Sequence, residues 1–565
     1  MLNLSHRARK TPWRTFSILL GCLTILVTVS PSAPARATSP SQSSFPLYLP
    51  LVVSRTPTAS TDSGFRPAQN GFSFANYGGD EGYTNLTPAE VLRMFGANVC
   101  ASAPDGSACA LTPAAEQWMD QQNQGMSGGH CEGFAVLSLL LYAQQLNAQD
   151  FGAATVAALQ IEGNEKLQRE IAYWFTTQAT QPAQDAWVQG TPNEIVQTLR
   201  ASYQAGKAAE YVIGFYKGDR SGGHAVSPIA VEDRADGTVA ILIYDNNYPG
   251  ITREIMVNPA QNTWTYNGST NPNEPADEYE GDAQSRTLEL APIPVRLQQQ
   301  ACPFCENSAG QTSLQQATRY NEIYLDGDAD LLISEDQSGR SIGYRNGQFV
   351  NEIGGATARS TKYLVPIWQN KDEPVYKLPT TVDFTISIDG SLLTGPSAST
   401  VAMIGPGYML EVNDIMLEAG QVDELNVSAN GTQLAYRTET GETPDILLGF
   451  ETPQADYTLL VKGFDLVADD VVYITIDEAN GRARLDAASD EGVAFDLLLE
   501  RLDNEGAQVF GTGEDLIIGP TDVLYVEYAA WQGNGQPLEL QIDRNGDGTI
   551  DETVELIDAT DLFEE

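Results

Sequence analysis

The spacing of apolar and polar positions changes along the chain, and each change marks a different kind of structure. Behind a basic start (Arg7, Arg9, Lys10, Arg14), Phe16 to Val29 is a mostly apolar run. From 64 to about 206 the apolar positions recur at helical spacing. Thr87-Pro88-Ala89-Glu90 predicts a capping box with proline at the first helical position, followed by Val91, Leu92, Met94 and Phe95. Thr112-Pro113 opens a second helix through Trp118. The dense run Phe134 to Leu141 predicts a buried third helix, starting at Cys131 and reaching about Leu146. Further helices are expected over 151–160 and 164–177, and Thr191-Pro192-Asn193-Glu194 caps another that ends near Ala205-Gly206.

The period then shortens to two. Tyr211–Tyr216, His224–Val231, Thr238–Tyr244 and Ile255–Val257 read as strands, the second and third joined by the loop Asp233-Arg234-Ala235-Asp236-Gly237. After 306 short alternating stretches such as Asp383–Ile388 and Val472–Ile476 recur between Gly, Asp and Asn turns. The pattern predicts an α+β domain over 64–300, then all-β sandwich-type modules over 306–400 and 401–565, split somewhere within 395–450. Residues 38–63, rich in Ser, Thr and Pro, read as a linker.

Composition narrows the setting. With 75 acidic against 31 basic residues the formal charge is −44, which disfavours nucleic acid and anionic membrane as partners. Residues 1–37 read as a secretory signal: basic start, apolar run, and a small-x-small site at Ala35-Arg36-Ala37. The expected location is secreted or cell-surface, and no later segment is apolar enough for a membrane span.

Five cysteines follow the signal: Cys100, Cys109, Cys131, Cys302 and Cys305. In an oxidising setting near neighbours pair, so Cys100–Cys109 and Cys302–Cys305 are expected bridges. Cys131 is then the odd thiol. It follows Ser127-Gly128-Gly129-His130 at a loop-to-helix junction, where unpaired N–H groups and the helix dipole favour a thiolate. A nucleophile also needs a base, and the chain holds only His6, His130 and His224. His6 lies in the signal. His130 adjoins Cys131 but points elsewhere on the helix start, which makes it a surface or pocket-lining residue. His224 ends a second Ser-Gly-Gly-His, and folding about the 233–237 loop sets it opposite Asp245-Asn246-Asn247. Cys131, His224 and Asp245 or Asn246 thus supply nucleophile, base and orienter.

Gly129-His130-Cys131-Glu132-Gly133 on a central helix, His224-Ala225-Val226 on a strand and Asp245 closing the next strand resemble the papain-like cysteine peptidase superfamily. The bacterial bacteriocin-processing branch is similar in taking His and Asp from one hairpin. The resemblance covers residues 110–260. It implies a papain-like α+β domain that hydrolyses a peptide or protein substrate without a catalytic cofactor. Cys131 would be nucleophile, His224 general base and acid, and Asp245 orienter. It also implies an oxyanion-donating glutamine shortly before the cysteine, with Gln124 the nearest match and Asn123 or Gln122 as alternatives. Transglutaminases share the Cys-His-Asp order, so an acyl transferase is the second reading. A non-catalytic adhesion protein with a relict triad is the third.

One further motif stands near the C-terminus. Asp543-Arg544-Asn545-Gly546-Asp547-Gly548-Thr549-Ile550-Asp551 places oxygens at alternate positions with glycine at the bend, the start of a calcium loop. Asp543, Asn545, Asp547, Thr549 and Asp551 are the expected ligands of a structural Ca2+. The position of the usual bidentate glutamate is Val554, and the flanks alternate like strands. Asp326-Gly327-Asp328-Ala329-Asp330 reads as a solvated acidic turn.

Overall fold

Helices form where caps and apolar period coincide. They are α1 (Pro88–Phe95), α2 (Pro113–Gly125), α3 (Cys131–Tyr142), α4 (Glu165–Thr176) and α5 (Pro192–Gln204). The computed structural model describes residues 61–560 except 80–81, 103–108, 219–221, 270–275, 306–318, 360–372, 504–505, 513–515 and 532–536. The signal segment, most of the 38–63 linker and Ser221 lie outside the described residues. Both predicted capping boxes, Thr87/Glu90 and Thr191/Glu194, close as reciprocal pairs. The helix expected over 151–160 does not form. Gly152 adopts φ +93°, a left-handed conformation that ends a right-handed turn, and only 3₁₀ turns at Ala148–Phe151 and Val156–Ala158 remain.

The strands that follow build one antiparallel sheet. They are β1 (Val188–Gln189), β2 (Tyr211–Tyr216), β3 (Gly223–Asp233), β4 (Val239–Tyr244), β5 (Thr252–Asn258), β6 (Thr263–Gly268), β7 (Asp277–Gly281) and β8 (Leu288–Pro292), in the order β7-β6-β5-β4-β3-β2-β8-β1. The core around α3 and α4 covers one face and takes in Val212, Ala225, Ile229 and Ala291. Ile195, Val196 and Leu199 of α5 cover the other face, with Ile213, Phe215, Val226, Trp264 and Tyr266. The predicted bridges Cys100–Cys109 and Cys302–Cys305 are present, and Cys131 is free and buried. No helix of the described residues is long and apolar enough to cross a membrane.

Beyond 319 the described chain is all strand and turn, so the protein as a whole is mostly β. From Ser397 its hairpins alternate between two layers. Ser397–Gly405/Tyr408–Leu417, Asp445–Glu451/Asp456–Lys462 and Val493–Asp503/Gly506–Gly511 lie side by side in one. Val422–Val427/Gln433–Arg437, Val471–Asp477/Arg482–Ala488 and Val523–Val526/Leu538–Asp543 form the other. The last strand, Glu552–Asp558, pairs with both layers. One apolar core lies between them from Ile323 to Leu556. Both layers run unbroken through 395–450, the stretch where the pattern of turns placed a module boundary. The equal spacing of Ser397, Asp445 and Val493 reveals a structural repeat whose sequence signature is too diffuse to read unaided.

The helical part seats α2 on the first of these layers. Gln117 Nε2 donates to the buried Glu411, and Tyr324, Val375, Ala402 and Ile404 complete the core of the helical part. Phe304, inside the Cys302–Cys305 bridge, packs on Phe95 and Trp118 at 5.3 and 5.7 Å between ring centroids.

Candidate active site

Cys131 is the first residue of α3, an element buried from Cys131 through Leu141. Gly129 enters it at φ +141°, outside the range of ordinary side-chain-bearing residues. The helix start has no side-chain cap, so the Cys131 N–H is left as a donor. The neighbouring groups are tied down instead. Asn76 Oδ1 accepts the His130 N–H at 2.7 Å, and Asn246 Nδ2 donates to Cys131 O at 3.1 Å and to Ala225 O at 2.9 Å. Glu132 meets Arg296 at 2.7 Å with both side chains wholly buried. Gly133 lets α4 approach closely, since a Cβ there would run into the Ile171 carbonyl. The position of Cys131 is thereby set from four sides.

His224 reaches the same place from β3. Pairing of β3 with β4 runs from Asp233↔Val239 to Ser227↔Tyr244 with a bulge between Pro228 and Ala230. Beyond the last pair, the chain turn after Tyr244 brings Asp245 to the ring. His224 Nε2 and Asp245 Oδ1 are 2.9 Å apart, with both residues buried. With Nε2 engaged, Nδ1 is the nitrogen left for a reacting group; it makes no formed hydrogen bond, and Cys131 adjoins the ring. Burial pushes the imidazolium's pKa down. The charge and hydrogen bond of Asp245, with the neighbouring Cys131, outweigh it and raise the value to about 10. Burial likewise opposes ionisation of Asp245. The charge of His224 and hydrogen bonds from His224, Tyr266 and Asn247 hold its carboxyl below the ordinary value. The buried pair therefore rests as imidazolium and carboxylate.

His130 is not a surface residue. It is 1 % exposed, with Nδ1 2.8 Å from Tyr77 O and Nε2 2.8 Å from Asn85 Oδ1, and burial lowers its pKa to about 4. Its ring packs against Tyr77 and ties Tyr77 and Asn85 to the helix start. Gln124 is turned to the β layers, where its amide donates to Asp326. This contact also means that the 326–330 turn is not simply solvated: Asp330 is buried, and Asp328 accepts from Ser397. Asn123 is committed to both backbone groups of Leu86. Gln122 differs from both. It is fully buried, and neither of its amide atoms has a hydrogen-bond partner.

Tyr266 and Arg253 carried no signal in the motif reading, and Asn246 entered it only as the alternative to Asp245. Asn246 links the Cys131 carbonyl to β3. Tyr266 of β6 donates to Asp245 Oδ2, and Arg253 of β5 donates from Nε to the Tyr266 hydroxyl at 2.8 Å. The alternation of Trp264 and Tyr266 on one face of β6 was the clue available.

The Asp543–Asp551 loop joins the last two strands of its layer. Asp543 accepts the N–H groups of Asn545, Asp547 and Gly548, Asn545 that of Asp547, Asp547 that of Thr549, and Asp551 that of Arg544. Among the described residues no three His, Cys, Asp or Glu side chains converge as around a metal ion. Compared with family models, curated proteins and solved structures, the chain matches none.

Proposed function

We propose that this protein is an exported cysteine-nucleophile amide hydrolase, a papain-like peptidase, acting through Cys131, His224 and Asp245. The observation that carries the reading is the buried His224–Asp245 pair, its free Nδ1 beside the lone thiol at an uncapped helix start. His224 already holds the proton as imidazolium, and the Cys131 sulfur attacks the substrate carbonyl as the thiolate. The oxyanion is met by the Cys131 N–H and by the uncommitted Gln122 amide, in place of Gln124. His224 then protonates the departing amine, and the C–N bond breaks to leave a thioester. Water, deprotonated by His224, hydrolyses it and restores the imidazolium with the thiolate.

All three groups are buried, so substrate reaches Cys131 only when a covering segment moves. Residues 72–79 are placed to do this, since Asn76 is bonded to the backbone of both His130 and Asn246. The test is hydrolysis of a library of peptide amides by the mature chain. Turnover that disappears in Cys131→Ala supports the reading. Incorporation of free amines into glutamine substrates without hydrolysis would replace it with the transglutaminase reading, and absence of both reactions in the wild type would sink both. Calcium at the Asp543–Asp551 loop is a separate proposal. There it would brace the last β layer, and binding would have to draw Asp551 off the Arg544 N–H.

A further inference from the structure

The hydrogen bonding behind His224 does not stop at Asp245. We infer that Tyr266 and Arg253 are positioning residues that extend the catalytic set, holding Asp245 through its second oxygen. Asp245 is wholly buried, and a buried carboxylate must have its lone pairs satisfied to remain ionised. Oδ1 takes the His224 ring at 2.9 Å and the Asn247 N–H at 2.8 Å. Oδ2 takes the Tyr266 hydroxyl. That hydroxyl has one proton to give, and its oxygen accepts the Arg253 Nε–H at 2.8 Å, which leaves the proton for Asp245. The guanidinium is itself oriented by the Asn267 carbonyl and by the Tyr248 ring, 4.0 Å from its centroid.

The direction of every donor in this chain is therefore settled by its end. Arginine cannot accept, so Tyr266 must give its proton to Asp245, and Asp245 must accept from His224. Burial beside a carboxylate also keeps the Tyr266 hydroxyl protonated. The elements are separate in sequence: β3 carries His224, the turn after β4 carries Asp245, β5 carries Arg253 and β6 carries Tyr266. Their convergence on one carboxylate has no evident structural purpose, because Phe215 already packs the Tyr266 ring at 5.1 Å. The inference rests on the hydrolase reading for its consequence but not for its measurement.

The measurement is the titration of His224, followed by NMR in isotope-labelled full-length mature protein. Tyr266→Phe deletes only the hydroxyl and leaves the ring. It is expected to raise the His224 midpoint by about one pH unit, a tenfold gain of proton affinity, because a carboxylate that loses a donor is the stronger base. The alkaline limb of the hydrolysis profile should move with it. Arg253→Gln, at a partly exposed position, is expected to shift the midpoint the same way by less, and Arg253→Lys to restore part of it. If Tyr266→Phe does not fold, Arg253→Gln carries the test. A midpoint equal to wild type in both variants, or a loss of thermal stability without any shift, overturns the relay. A wild type that never hydrolyses peptides but shows these shifts overturns the hydrolase reading alone.

Discussion

The protonation of His224 is the property on which the proposed chemistry depends most directly, and it can be measured. Its ordinary pKa near 6.5 is raised to about 10 because Asp245 and Cys131 together outweigh burial. A difference of that size corresponds to roughly 5 kcal/mol favouring the charged form in the folded protein. Because the folded value exceeds the unfolded one, this stabilisation is fully present below about pH 6.5. It is lost as pH rises toward 10. Asp245→Asn removes the compensating charge and leaves the desolvation, so the midpoint should fall below 6.5, a shift of more than three pH units, and the alkaline loss of stability should flatten. The assay is straightforward because the chain has only three histidines. His130, depressed to about 4, serves as an internal reference, and His6 is removable by truncation. Chemical denaturation between pH 6 and 10 gives the stability side. A wild-type His224 titrating near 6.5, or one indifferent to Asp245→Asn, would refute the electrostatic account of the pair.

Three further outcomes follow from contacts around the site. Arg296→Met removes the buried ion-pair partner of Glu132 and should cost about 3–5 kcal/mol in urea denaturation, whereas the double change with Glu132→Gln should recover most of it. Gly133→Ala would normally favour a helix by about 1 kcal/mol. Here the new methyl group meets the Ile171 carbonyl, so the melting temperature should fall, consistent with an overpacking cost of about 1–3 kcal/mol or more. If the Asp543–Asp551 loop holds calcium, melting in Ca2+ should exceed melting in EGTA, and Asp547→Ala should abolish the difference; coincident melts in the wild type would remove calcium from the account.

How much of this was legible in the sequence depends on how local each feature is. The Thr-Pro-x-Glu boxes at 87 and 191 specify their own helix starts, because the groups that cap and those capped lie within four residues. Cys131 at a glycine-led helix start and the two short-range disulfides are similarly self-contained. His224 and Asp245 come together through one hairpin, so counting along two strands was enough to pair them. The misreadings share a different cause. The helix expected over 151–160 is interrupted where Gly152 turns left-handed and Thr155 is extended, and His130 was read as a surface or pocket-lining residue because its partners, Tyr77 and Asn85, come from another stretch of chain.

Local pattern thus determined the period of each region, the caps, the odd thiol and the hairpin that carries His224. Packing decided what spacing cannot express: that Gln124 faces Asp326 while Gln122 faces inward, that Arg296 pairs with Glu132 beside Cys131, and that Tyr266 and Arg253 stand behind Asp245. The physical reason is that a buried polar group is satisfied by whichever donor the fold brings within about 3 Å, and such donors can come from any part of the chain.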